Sequence, residues 1–240
     1  LRNTVEAGEF HPMVEVPGVI DYLGPEDMQT ALEHYFKLPN PAVRILCYTN
    51  SRVQDYNAFI REVRGLPTEF TAGDELVVAQ SYMSGKFALN VEREILITEI
   101  EPDTYNARYA ELTGDSKDLT YKKFHISPPG SLGVSSLTCD VVDDPAQLRC
   151  VLQALKRKKR WPEFFQLKNQ FLDLRDKYAC TVYKSQGSTY DTVFIDLGNI
   201  GTARDPEQVA RMLFVGVSRA TTRVFFYGNL PAKYQGKVAA

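Results

Sequence analysis

The chain has 240 residues, 44% hydrophobic and 24% charged, a balance typical of a globular chain with room for one large domain or two small ones. Its net charge of −2 excludes a global basic field, so any contact with nucleic acid must come from a local patch. No apolar run approaches the roughly 18 residues that span a bilayer and no secretory leader is visible, so a membrane is not an expected partner and a cytoplasmic location is expected.

The first ten residues, LRNTVEAGEF, read as the tail of a helix stopped by Gly8. Residue 1 is Leu, so the chain is expected to start within an element of something larger. Residues 11–25 are punctuated by proline and glycine and leave room for one short strand. From Pro25 to Lys37, Met28, Ala31, Leu32, Tyr35 and Phe36 recur at helical spacing, and the PNP at 39–41 ends the run. VRILCY at 43–48 is a short apolar run of the kind a buried parallel strand makes. Ser51 can cap a helix over 52–64, whose apolar side is Val53, Tyr56, Phe59, Ile60 and Val63.

From Leu66 to about Val142 the pattern changes. Short strands are expected at 75–80, 94–100, 105–112 and 121–126, separated by turn residues, as in a small β-barrel or sheet. Two helices follow, at 145–159 and 162–178, the second with Phe164 or Phe165, Leu167, Phe171, Leu174 and Tyr178 on one core-facing side. Between them lies KRKKRWP, 156–162, the one concentrated basic run. It reads as a solvated helix end, as a grip on displaced-strand phosphates or as a nuclear signal, with Trp161 as a core anchor. Strands at 179–183 and 192–197, a helix from Pro206 and a strand at 223–227 then return to α/β order. The four cysteines (Cys47, Cys139, Cys150 and Cys180) form no C-x-x-C pair and read as reduced, buried thiols. The three histidines are too scattered to bind a metal, and no metal site is expected.

Chemistry concentrates in two places. Thr49–Asn50 and Lys184–Gly187 each follow a strand, where open α/β sheets bind ligands, and backbone N–H groups with a cation there suit a phosphate. Arg219 ends the apolar run VGVS, and an arginine there needs either a carboxylate partner or an anionic target.

TVYKSQGSTYDTVFIDL (181–197), followed after roughly thirty residues by LFVGVSRATTRVFF, resembles motifs V and VI of superfamily 1 helicases. Gly187-Ser188-Thr189-Tyr190 is similar to the 5′–3′ Dda/RecD branch and unlike the G-L-E-F of the UvrD branch. ILCYTNSRVQDYN, GDELVVAQ and WPEFFQLKNQF are similar to further segments of that branch.

The resemblance implies an α/β fold: a RecA-like parallel sheet, as in the second lobe of a P-loop NTPase motor. That lobe would comprise residues 1–66 and 176–240, interrupted at 67–175 by an inserted, mainly β, small-barrel domain with two following helices. It implies a C-terminal part of an ATP-dependent 5′–3′ DNA helicase. ATP and Mg2+ would be bound mainly by a first, N-terminal RecA-like lobe absent here, since nothing matches G-x-x-x-x-G-K-[ST]. The fragment alone is expected to be inactive. The implied partners are that lobe, single-stranded DNA and forked duplex DNA.

Carried onto this sequence, Arg219 is the arginine finger and the catalytic residue. Gln186, Gly187 and Thr189 face the nucleotide. Thr49, Asn50, Thr181, Tyr183, Lys184 and Ser185 face DNA or link it to ATP. Tyr183 departs from the family pattern, which has His there; a tyrosine can stack on a base or bond a phosphate. Two other readings compete: a viral-type superfamily 1 RNA helicase, and a non-catalytic RecA-like module that binds nucleic acid or a partner.

Overall fold

The computed structural model describes residues 4, 6, 10, 14–38, 42–84, 87–107, 118–130 and 136–235. The helix expected at the start of the chain, and the part of the 105–112 strand beyond 107, lie largely outside them. The chain divides into two compact units, one of residues 1–68 with 178–240 and one of residues 69–177.

The first unit is built on a five-stranded sheet in the order β1 (Ile20–Leu23), β13 (Ala220–Tyr227), β12 (Tyr190–Asp196), β2 (Val43–Cys47) and β11 (Ala179–Thr181). Every pairing in it is parallel. The central strands are covered on both faces, which is why VRILC and VFID read as continuous apolar runs rather than alternating ones. Ile45, Cys47, Phe194 and Phe225 face α1 (Pro25–Lys37) and α2 (Asn50–Val63), packing with Met28, Leu32, Phe36, Val53 and Ile60. Leu46, Val193, Ile195, Val224 and Phe226 face the other way, against Val209, Met212 and Leu213 of α6 (Pro206–Val217). Helix α6 comes so close at Gly216 that a Cβ there would lie 3.1 Å from Ile195 Cδ1.

The second unit contains an antiparallel sheet. Its long strand β8 (Leu119–Ser127) pairs with β6 (Glu94–Ile100) and β7 (Tyr105–Ala107) and with β9 (Leu137–Val142), while β3 (Glu75–Val78) joins β6 to β10 (Leu174–Asp176). The Leu172 amide donates to Asp140 O of β9 at 2.8 Å, so the wall closes on itself around Leu76, Val78, Ile97, Phe124 and Ile126. A hairpin of β4 (Tyr82–Ser84) and β5 (Phe87–Leu89) accompanies it. Helices α3 (Pro145–Arg157) and α4 (Trp161–Gln170) pack over Leu119 and Val142 through Val151, Leu155 and Leu167.

Two sequence expectations change here. The helix expected to run to 178 ends at Gln170, because Phe171 is extended (φ −103°, ψ 135°) and the chain goes on to pair with β9 and β3. Strand pairing at long range has overridden a helical period, and Tyr178 joins the core of the first unit. Trp161, expected as a core anchor, is 43% exposed.

Candidate functional site

Strand direction sorts the candidate residues. Thr181 is level with Cys47, at the carboxyl ends of β11 and β2, whereas Tyr190 is level with Ala220, at the amino ends of β12 and β13. The connection 182–189 therefore runs back along the sheet, from the edge that bears Thr49 and Asn50 to the edge that bears Arg219.

At the carboxyl edge, Thr49 rather than Ser51 caps α2, its hydroxyl accepting from the Arg52 amide at 3.3 Å. Asn199, on the short helix α5 (Leu197–Ile200), accepts the Tyr48 and Thr49 amides at 2.8 and 3.0 Å and donates to Thr49 Oγ at 3.0 Å. The two amides that a phosphate would use at the end of β2 are thus already bonded, and Thr49 is a structural tie. Asn50 is exposed. Behind Asn199 sits Asp196, 3% exposed, which accepts from the Asn199 amide at 2.8 Å, from Arg52 Nε at 2.8 Å and from Tyr56 OH at 2.9 Å. Burial, reinforced by the Asp196 charge, pushes the Tyr56 phenol far up. Partial burial alone would lower the pKa of Arg52, but the hydrogen bond to Asp196 outweighs it and holds the guanidinium charged.

The 182–189 connection is a pair of tight turns. Thr181 O accepts the Lys184 and Ser185 amides at 3.0 and 3.1 Å, and the Ser188 amide donates to Ser185 O at 3.0 Å. Ser185 is fully buried and its hydroxyl donates to Val182 O at 2.7 Å, so this expected DNA contact is an internal pin. Thr181 is also buried. Tyr183 is 52% exposed, with its hydroxyl held by Gln208 Nε2 at 2.5 Å, and Lys184 is half-buried. Gln186, Gly187 and Thr189 are all exposed. Gly187 has φ +92°, a conformation that a residue with a Cβ rarely adopts.

At the amino edge, Arg219 follows the last turn of α6. Its Nη1 donates to Ser188 O at 3.1 Å, its Nε to Val215 O at 3.2 Å and its Nη2 to Ser218 Oγ at 3.0 Å. Among the described residues every partner of this guanidinium is a neutral oxygen. The salt bridge that would make Arg219 purely structural is not among them. The Tyr190 amide donates to Arg219 O at 2.8 Å, so backbone and side chain both join the two motifs.

Sequence reasoning brought Arg219 and the 184–189 loop together but missed Asn199, Asp196, Arg52 and Tyr56. The available signal was the D-L-G-N at 196–199, where β12 ends. Among the described residues no group of three His, Cys, Asp or Glu side chains could hold a metal ion.

Residues 176–227 match the UvrD-like helicase C-terminal domain family. The ATP-dependent DNA helicase dda of Enterobacteria phage T4 is 23% identical over 252 residues, an alignment covering 90% of this chain and 55% of that protein. The chain thus spans about half the length of the curated relative it matches. Among solved structures, a Pif1 helicase from Candida albicans is 15% identical with a TM-score of 0.39, over 90% of this chain and 52% of that one. A Bacteroides Pif1 helicase in complex with ADP-AlF3 and ssDNA is 13% identical with a TM-score of 0.40, over 90% of this chain and 48% of that one. The family match falls on the segment that joins the 182–189 loop to Arg219, and the chain as a whole is similar to the C-terminal half of superfamily 1 helicases of the Dda type.

Proposed function

We propose that this chain is the C-terminal part of an ATP-dependent DNA helicase that moves 5′ to 3′ on single-stranded DNA and unwinds forked duplex. The unit of residues 1–68 and 178–240 is its second RecA-like lobe, and the unit of residues 69–177 is the inserted domain. In the full-length parent the preceding lobe supplies the Walker loop, and Mg2+ arrives with the nucleotide.

The observation that carries this reading is Arg219. Its three hydrogen bonds go to neutral oxygens, and its nearest tie outside its own turn is Ser188 O of the 182–189 loop, at 3.1 Å. Those neutral oxygens offer the guanidinium no opposite charge, whereas a phosphoryl group adds Coulombic attraction and a fork-shaped, bidentate fit. Exchange of partners toward a γ-phosphoryl group is therefore downhill once the two lobes close. There the guanidinium neutralises charge as it develops on the transferred group. Thr189 follows Ser188, the loop residue bonded to Arg219, and exposed Gln186 and Gly187 precede it, open to a nucleotide. Asn50, Tyr183 and Lys184 offer DNA contacts at the opposite edge, and Thr181 and Ser185 anchor the turn between them. A push on the loop from either edge reaches the other, which suits alternating grip on DNA during ATP turnover. The likeness to a phage helicase supports action in the cytoplasm of a bacterial or phage-infected cell.

The test is ATP hydrolysis by the full-length parent with and without oligo(dT). Arg219→Ala is expected to lower stimulated turnover on the order of 10³-fold while far-UV circular dichroism and oligonucleotide binding persist. Full activity in that variant, or no stimulation of the parent, makes the arginine structural and leaves a binding module. Stronger stimulation by poly(U) than by poly(dT) would favour the RNA helicase.

A further inference from the structure

The basic run 156–160 and the aromatic residues after it have no part in the site described above. Lys156, Arg157, Lys158, Lys159 and Arg160 are all exposed. Lys156 and Arg157 sit in the last turn of α3, where cations complement the helix dipole. That account does not extend to Lys158 and Lys159, which lie beyond the helix. Arg160 pairs with Glu163. Among the described residues no carboxylate lies within ion-pair distance of Lys156, Arg157, Lys158 or Lys159.

Lys159 also has a φ of +56°, in the left-handed region. The turn closes through Arg160 N to Leu155 O at 3.0 Å and Lys159 N to Lys156 O at 3.1 Å, a helix ending that favours glycine at position 159. A lysine there goes against the local backbone preference, which points to a use for its charge.

Directly after the basic run comes α4. Trp161 is 43% exposed and Phe165 55% exposed. They are four residues apart on one face of the helix, so their rings are about one turn, ~5.4 Å, apart along it. Phe164 is half-buried in the unit's core and holds both, with ring centroids 5.9 Å from Trp161 at 78° and 5.2 Å from Phe165 at 85°. Two large rings are thus fixed in solvent beside unpaired cations. Exposed rings alone would suit any apolar partner, and the adjoining charge selects a polyanion that has flat faces.

We propose that α4 and the preceding turn form a binding surface for single-stranded nucleic acid on the inserted unit. Trp161 and Phe165 stack on successive bases, and Lys156, Lys158 and Lys159 neutralise the flanking phosphates. This surface belongs to a different unit of the chain from the loop carrying Tyr183 and Lys184, and it does not rest on the helicase reading.

Trp161 is the chain's sole tryptophan, so its fluorescence reports on this surface and no other. Titration of the 240-residue chain with (dT)15 is expected to quench that emission. Lys158→Glu with Lys159→Glu should weaken binding at least tenfold and flatten the salt dependence of log K by about 1.4 if two phosphate contacts are lost. Phe165→Ala should weaken it about tenfold with the quenching retained. An abasic oligonucleotide of equal length should bind about tenfold or more weakly and should not quench. The proposal is overturned if (dT)15 leaves Trp161 emission unchanged, if the charge reversals leave affinity and salt slope intact, or if the abasic strand binds as well as (dT)15. Binding that Lys184→Ala abolishes while Trp161 emission stays constant would assign nucleic acid to the first unit alone. That outcome would refute this surface and leave the helicase reading standing.

Discussion

Replacing Asp196 with alanine tests how the carboxyl edge of the parallel sheet is held. The carboxylate is 3% exposed and accepts from three donors: the Asn199 amide, Arg52 Nε and Tyr56 OH. Loss of the cap on α5 costs about 1 kcal/mol. The charged bond to Arg52 is worth about 1.5–3 kcal/mol when buried. The Arg52 side chain is 38% exposed, which brings that value toward its lower end. Tyr56 OH is left with no acceptor other than a solvent molecule, at a further ~1–3 kcal/mol. The expected destabilisation is therefore about 3.5–5.5 kcal/mol, overlapping the ~3–5 kcal/mol seen when one member of a buried pair is removed. With a urea m-value near ~2 kcal/mol/M, the midpoint should fall by about 2 M. Trp161 lies in the other unit, so fluorescence is the wrong probe; hydrogen exchange at the amides of β12 and α2 reads the loss directly. The double variant Asp196→Ala/Arg52→Ala should be less destabilised than the two single losses added together, because the shared bond is counted in both. A loss below about 1 kcal/mol for Asp196→Ala, or strict additivity in the double variant, would refute this reasoning.

Two further predictions concern titrating groups. Cys150 is the exposed thiol, whereas Cys47, Cys139 and Cys180 are buried, so the native chain should show one thiol that a disulfide reagent reaches quickly and four after denaturation. Burial pushes Cys139 up to about 11, so raising the pH from 7 to 9 should leave it slow to react in the native chain. Asp21 loses hydration, which by itself would raise its pKa, but hydrogen bonds from Arg223 and the Gly18 amide hold the carboxyl below its ordinary value. A carboxyl depressed in the folded state stabilises above its unfolded pKa of about 3.9 and loses that contribution as pH falls through the folded value. Arg223→Met should therefore lower the thermal midpoint at pH 7 and have little effect near pH 2.

The parallel sheet was legible because its strands are buried on both faces. VRILC and VFID each announce themselves as unbroken apolar runs between turn residues. The join between the 184–189 loop and Arg219 was legible only through the order of the two motifs, since no periodicity relates Ser188 to a guanidinium 31 residues on. Asn199 left only a weak signal in the sequence, the D-L-G-N at 196–199. Its partners Tyr48 and Thr49 are some 150 positions away, and an asparagine after a strand most often looks like a turn residue. Ser185 was assigned to DNA only through the resemblance of TVYKSQG to motif V of superfamily 1 helicases. Only the path of the backbone shows its hydroxyl turned inward onto Val182 O. The helix expected to reach 178 failed for a related reason. Phe171, Leu174 and Tyr178 keep a helical period by chance, while β3 supplies a strand partner that the local sequence does not reveal.

The pairing of β10 with β3 sets Asp176 opposite Leu76, and Lys177 binds Glu75 at 2.5 Å and Glu94 at 3.4 Å. The chain therefore enters and leaves the antiparallel unit through one clasped neck. A module whose first and last strands are paired in this way is portable, because paired ends let it be gained, lost or exchanged at one place in a chain. Whatever the inserted unit binds can thus be altered wholesale, at one point in a gene, while the sheet that carries Arg219 keeps its register.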